Sequence, residues 1–227
     1  METIKLLFVC TAGRCRSPIA AALFEKHLEQ PRQQVTVRSV GVEYTGEPTP
    51  SIGISLLEEL GIHLPSNRST QLTTGLVDDA DLVLGMTREH VRDVLELSAD
   101  AWPKTFTLKE FARRVGEAAP RRRHQRLDDW LASLSEDRET YDLFSSESDD
   151  DLMDPFGQRT KVWRQVISEV DELMDKIVPA LGLAQAKPPN VVRIRRLSEV
   201  SQRETPHEAP QEQDDERQLP GRINIAR

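Results

Sequence analysis

The sequence predicts an α/β protein, a three-layer doubly wound sandwich on a central four-stranded parallel sheet. Short apolar runs recur at 5–10, 35–40, 81–86 and 105–108. Between them lie segments with apolar residues at helical spacing. Alternating strand and helix implies a parallel sheet covered on both faces, and such sheets bind ligands beyond the carboxyl ends of their strands.

The elements follow in order. Leu6-Leu7-Phe8-Val9 is a continuous apolar run, as expected of a strand buried on both faces. Residues 17–29 carry Ile19, Leu23, Phe24 and Leu28 along one helical face. Ser17 is a good N-cap residue, and Pro18 suits a first helical position. Val35–Val40 is the second strand. Pro48 and Pro50 introduce a helix from Ser51 to about Leu60, ended by Gly61. Asp81–Met86 is the third strand, and Thr87 can cap the helix holding Val91, Val94 and Leu95. Thr105–Leu108 is a short fourth strand, followed by a helical turn over Lys109–Val115. A closing helix over 160–182 turns Val162, Trp163, Val166, Ile167, Val170, Leu173, Met174 and Ile177 inward.

Two stretches break the rhythm. Residues 116–151 hold a basic run at 121–126, an apolar piece with Trp130, Leu131 and Leu134, and an acidic run ending at Asp151. Two readings stand, a solvated and partly helical excursion, or a lid or substrate-selecting element. Beyond 182 the chain turns rich in Pro, Gln, Glu and Arg, which predicts a disordered tail over 183–227. Within it, 191–197 is read as a solvated linker in preference to a docking strand.

The chemistry concentrates in Cys10-Thr11-Ala12-Gly13-Arg14-Cys15-Arg16-Ser17-Pro18, at the end of the first strand. A cysteine attacks as its thiolate, which a helix N-terminus and a nearby arginine both favour. Small residues at Ala12 and Gly13 let backbone N–H groups turn inward to cradle an anion, and a helix dipole adds to them. Arg16 offers a planar fork for two phosphate oxygens. The Ser17 hydroxyl can donate to the Cys10 sulfur. Thr11, Ala12, Gly13, Arg14, Cys15, Arg16 and Ser17 are therefore the candidate phosphate-binding set. Asp154, in Asp154-Pro155-Phe156-Gly157, is the candidate acid that protonates a leaving oxygen.

Composition narrows the class. The chain has 227 residues, a formal net charge of −8 and only 5 % aromatics. An acidic balance argues against nucleic acid as a partner. No apolar run approaches membrane-spanning length, so a membrane is not an expected partner. A lone Lys5 before five apolar residues does not resemble a signal peptide, and two cysteines do not make a disulfide framework. The cytosol is the expected compartment. The five histidines form no ligand cluster, and no nucleotide-binding glycine motif follows a strand, so neither a metal nor a cofactor is assigned.

The Cys10–Pro18 run resembles the phosphate-binding loop of the low-molecular-weight protein tyrosine phosphatases. Arg38-Ser39-Val40-Gly41, Leu64–Leu72, Ala80–Thr87 and Asp154-Pro155-Phe156-Gly157 resemble further stretches of that family, in family order. The resemblance covers about 1–115 and 152–182. It implies a flavodoxin-like fold, with 1–182 as the phosphatase-like domain and 116–151 as an insertion. It also implies hydrolysis of a phosphomonoester, above all protein phosphotyrosine, through a phosphocysteine at Cys10. Arg16 and Asp154 would be its catalytic partners, Ser39 and Asn67 would support the loop, and Cys15 would be a redox partner of Cys10. The partner would be a phosphorylated protein or a small phosphomonoester.

Four positions depart from that pattern. Ala12-Gly13 stand where the family commonly has Gly-Asn. Asn67 stands where a histidine is often found behind the loop. Arg14 is neither the apolar residue that tends to accompany phosphotyrosine nor the threonine of the related protein-arginine phosphatases. Arg14 would repel a phosphoguanidinium, and it either attracts acidic sequence beside a phosphotyrosine or points to solvent. Small-thiol-dependent arsenate reduction, protein-arginine dephosphorylation and non-catalytic binding of a phospho-ligand remain the alternatives.

Overall fold

The computed structural model describes residues 3–28, 35–43, 46–64, 68–122, 124–144 and 149–183. Asn67 and nearly all of the expected tail, from 184 on, lie outside the described residues.

Four parallel strands, β1 (Ile4–Cys10), β2 (Val35–Gly41), β3 (Leu82–Gly85) and β4 (Thr105–Thr107), form one sheet in the order β2-β1-β3-β4. The helices are α1 (Arg16–Lys26), α2 (Ser51–Glu59), α3 (Thr74–Asp79), α4 (Arg88–Leu97), α5 (Leu108–Glu117), α6 (Leu127–Ser133) and α7 (Thr160–Ala180). The expected three-layer architecture is thus present. Successive strand residues face opposite sides of the sheet, which divides the core in two. Leu6 and Phe8 of β1 join Leu82, Leu84 and the inward faces of α1, α5 and α7. Leu7 and Val9 join Val40, Val77, Val83 and Val94 on the α3 and α4 side. A strand flanked by apolar layers on both faces needs an unbroken apolar run, which Leu6–Val9 supplies. Phe8 meets Phe24 of α1 edge to face, with centroids 6.1 Å apart.

The strand order reverses at β1: the chain crosses to β2 on one side and later reaches β3 on the other. Loops after β1 and β3 therefore share one crevice, where α/β sheets take their ligands.

The described residues of 116–151 are partly helical and mostly exposed, but they are not solvated throughout. Trp130, Leu131, Leu134 and Leu143 are buried. Trp130 stands edge-on to Phe111 of α5, and its indole N–H donates to the Ala119 carbonyl at 3.2 Å. Arg138 is buried too. It lies 3.8 Å over the Trp102 ring and 4.1 Å over Phe106, and donates to Glu110 at 2.8 Å. The high charge of this stretch conceals one apolar helix and one internal ion pair.

Candidate active site

Cys10 is the last residue of β1 and sits in register with Gly41 of β2. Its carbonyl accepts from Val42 N–H at 3.0 Å, and that of Thr11 from Glu43 N–H at 2.8 Å. The loop is thereby bonded to the end of β2. Gly13 has φ +62°, a left-handed conformation that favours glycine. A Cβ on Gly13 would lie 2.7 Å from Gly41 N, and one on Gly41 would lie 2.5 Å from Ala12 C and Gly13 N. The two backbones touch where no side chain fits. Gly13 thus reaches the bend that an asparagine commonly makes, and Gly41 seats it from behind.

The helix begins at Arg16, with Cys15 as N-cap and no side-chain cap bond. This corrects the capping role expected of Ser17. Starting at Arg16 puts Ser17 inside the first turn, facing the sheet and buried. Its hydroxyl donates to the Val40 carbonyl at 3.1 Å and lies 3.1 Å from Cys10 Sγ. The expected link to the Cys10 sulfur is present. One hydroxyl proton can serve either acceptor, so a thiolate at Cys10 would draw it from Val40.

Arg16 is 5 % exposed. Nη1 donates to the Leu152 carbonyl at 3.2 Å, and Nη2 to Thr11 Oγ1 at 3.0 Å and Asp154 Oδ2 at 2.7 Å. Its Nε is buried with no partner among the described residues. A buried guanidinium needs compensating charge, and here the partner is a carboxylate whose side chain is 45 % exposed.

Two neighbours fix Asp154 from upstream. Leu152 is buried, and its N–H donates to the Met86 carbonyl at 2.8 Å. Asp151 accepts from the Arg88 backbone N–H at 2.8 Å and from Arg88 Nη2 at 3.1 Å. Burial pushes the Asp151 carboxyl up, but those bonds to Arg88 outweigh it and hold the group below its usual range. Downstream, Phe156 N–H donates to Asp154 Oδ1 at 3.0 Å, and Gly157 turns the chain at φ +73°.

Arg14 does not simply point to solvent. Its guanidinium lies 4.0 Å over the half-exposed Phe156 ring and pairs with Glu47. It thereby joins the phosphate loop to the Asp154 loop. Cys15 is buried. Burial, with the nearby charges of Asp154 and Cys10, pushes its thiol up to about 12 against the opposing pull of Arg14 and Arg16. At neutral pH it is a neutral thiol. Ser39 lies half-buried in β2, in register with Phe8.

His90 belongs to this constellation although the sequence gives it no role. In the first turn of α4 its Nε2 lies 3.0 Å from Thr11 Oγ1, and its Nδ1 accepts from Thr87 N–H at 3.1 Å. The available signal was Thr87-x-x-His90, a capping-box spacing with histidine in the glutamate position. Among the described residues no group of three or more His, Cys, Asp or Glu could hold a metal, and no helix is long and apolar enough to cross a membrane.

A thiol, a buried guanidinium and a half-exposed carboxylate thus meet at the loop that joins β1 to α1. The comparisons with known proteins agree. Residues 5–122 match the family described as low molecular weight phosphotyrosine protein phosphatase. A protein-arginine-phosphatase of Bacillus subtilis is 31 % identical over 78 % of this chain and 95 % of its own. The YwlE arginine phosphatase of Geobacillus stearothermophilus superposes with a TM-score of 0.58 at 32 % identity, over 79 % of this chain and 93 % of its own. A low molecular weight protein tyrosine phosphatase of T. tengcongensis gives a TM-score of 0.58 at 26 % identity, over 79 % and 100 %. With the Cys10 loop, the Asp154 loop and the sheet order all on hand, the chain belongs to the low molecular weight phosphotyrosine protein phosphatase family.

Proposed function

We propose that this protein hydrolyses phosphotyrosine in phosphorylated proteins, and small aryl phosphomonoesters, through a phosphocysteine at Cys10. The observation that carries the reading is the Arg16 fork, which spans the phosphate loop at Thr11 and the Asp154 loop at Leu152 and Asp154. Charge-assisted forks of this kind grip phosphate oxygens. As a phosphoryl group enters, Arg16 exchanges the Asp154 carboxylate for phosphate oxygens, and Asp154, released toward the leaving group, takes up the proton that Cys10 loses on becoming a thiolate.

The Cys10 thiolate then attacks phosphorus, the bond to the leaving oxygen breaks, and the Asp154 carboxylic acid gives that oxygen its proton. In the second step water attacks the phosphocysteine. The Asp154 carboxylate takes a proton from the water, phosphate departs, and the thiolate re-forms. Ser17 supports the sulfur at both ends of the cycle. Cys15, a neutral thiol, does not compete as a nucleophile.

Arg14 favours the aryl substrate. It stacks on Phe156 and pairs with Glu47 beside the loop, and the side-chain planes of Arg14 and Phe156 suit a flat phenyl ring. The names of the relatives from B. subtilis and G. stearothermophilus support phosphoarginine as the second reading. Both are tested together. Wild type should hydrolyse p-nitrophenyl phosphate, and Cys10→Ala should not. Phosphotyrosine peptides should turn over faster than phosphoarginine peptides of the same sequence. The reverse order would move the substrate to phosphoarginine, and no turnover of any of the three would overturn the reading.

A further inference from the structure

We propose that His90 is a positioning residue of the phosphate site, holding the Thr11 hydroxyl so that Thr11 in turn holds Arg16. The proposal rests on the anion-binding reading of the Cys10 loop.

The direction of the hydrogen bonds follows from one fixed donor. The Thr87 backbone N–H points at His90 Nδ1 at 3.1 Å and can only donate, so Nδ1 must accept. The Thr87 hydroxyl lies 2.8 Å from the same nitrogen. A neutral imidazole with Nδ1 accepting carries its proton on Nε2. The 3.0 Å contact is therefore Nε2–H donating to Thr11 Oγ1. That oxygen also accepts from Arg16 Nη2 at 3.0 Å. Both of its acceptor sites are filled, which orients the hydroxyl and leaves its own proton as the free donor in the loop.

At neutral pH the His90 ring is neutral, as this arrangement requires. Burial first, and then the Arg16 charge, push His90 down to about 3. A second proton would also set an N–H of Nδ1 against the Thr87 N–H. The chain from Thr87 through His90 and Thr11 thus fixes one edge of the Arg16 fork, while Leu152 fixes another. It ties the turn after β3 to the loop after β1, across the crevice where the strand order reverses. A histidine serving only as the N3 partner of Thr87 would not need its Nε2 directed into this loop.

Side-chain reach separates the two roles. His90→Asn keeps an acceptor near the Nδ1 position for Thr87 but ends short of Thr11. His90→Gln reaches to about Nε2 and can donate there. Each is measured by thermal melting, by kcat and KM on p-nitrophenyl phosphate, and by the affinity for inorganic phosphate in calorimetry. The expected result is a loss of about three- to tenfold in phosphate affinity and in kcat for His90→Asn, from one misplaced hydrogen bond. His90→Gln should restore both, and His90→Asn should add nothing in a Thr11→Val background. Wild-type affinity in folded His90→Asn, or a fully additive loss with Thr11→Val, would overturn the proposal. If His90→Asn fails to melt cooperatively, Thr11→Val alone decides: unchanged phosphate affinity refutes the chain of bonds. Phosphate affinity remains a readout even if wild type proves inactive on every ester, so the two ideas fail separately.

Discussion

Arg16 and Asp154, 138 residues apart in the chain, meet at 2.7 Å, and the same guanidinium reaches the Leu152 carbonyl and Thr11. The acid loop is thus held to the phosphate loop by the side chain that would grip the substrate. Asp154→Asn keeps the size and an acceptor for Phe156 N–H but removes the transferable proton. Its kcat on p-nitrophenyl phosphate should fall by about 10²–10⁴-fold, as for other lost general acids, and the melting temperature should fall as well, because buried Arg16 loses its compensating charge. Arg16→Lys cannot make the fork, so KM should rise and kcat fall together. Steady-state kinetics on the two variants distinguishes the roles.

The Gly13–Gly41 contact predicts a steric penalty. Gly41→Ala places a Cβ 2.5 Å from the backbone of Ala12 and Gly13, with no flexible side chain there to yield. Overpacking of this kind costs about 1–3 kcal/mol, and the loop is what must shift. Chemical denaturation should show that loss, and phosphate affinity should fall with it.

Arg14 and Phe156 make a removable link between the two loops. Cation–π contacts contribute about 0.5–2 kcal/mol. Arg14→Ala should therefore lower kcat/KM on aryl phosphates by a few-fold to about thirtyfold, with little change in stability. Phe156→Leu should give a similar loss, and the double variant little more. Additive losses in this cycle would show that the two side chains act apart.

The Glu110–Arg138 pair tests whether 116–151 belongs to the core. Removing one partner of a buried ion pair costs about 3–5 kcal/mol because the other charge is stranded. Glu110→Ala should lower the unfolding free energy from chemical denaturation by that amount, whereas Arg126→Ala, whose pair with Asp128 is exposed, should leave it nearly unchanged.

His90 also sets an acid limit on stability. In the folded protein it titrates near 3, below the ordinary histidine value of 6.5. The unfolded chain therefore binds the proton first as pH falls. The stabilising difference is fully present above about 6.5 and is lost between there and about 3, at up to roughly 1.4 kcal/mol per pH unit. His90→Gln, which cannot titrate, should flatten that part of the pH–stability curve. An unchanged acid slope would contradict the burial of a neutral His90.

The sequence carried the scaffold well because its signals are local. Leu6–Val9 is unbroken because both faces of β1 are covered, and the Cys10–Pro18 run states its chemistry within one turn. What escaped was non-local. Ser17 looks like a cap, yet a helix beginning two residues earlier than that predicts turns it to the sulfur and Val40. His90 looks isolated because its partner Thr11 lies 79 residues away. Trp130 and Arg138 sit among charges that suggest solvent, while their partners in α5 bury them. The short α3 carried no periodic signal of its own.

The most direct measurement is the phosphoenzyme itself. A stoichiometric mixture of Asp154→Asn enzyme and p-nitrophenyl phosphate, quenched in acid within a turnover and digested, should yield a peptide carrying one phosphoryl group on Cys10. Cys10→Ala should yield none. A phosphoryl group on any other residue, or substrate turnover by Cys10→Ala, would contradict a phosphocysteine mechanism in this protein.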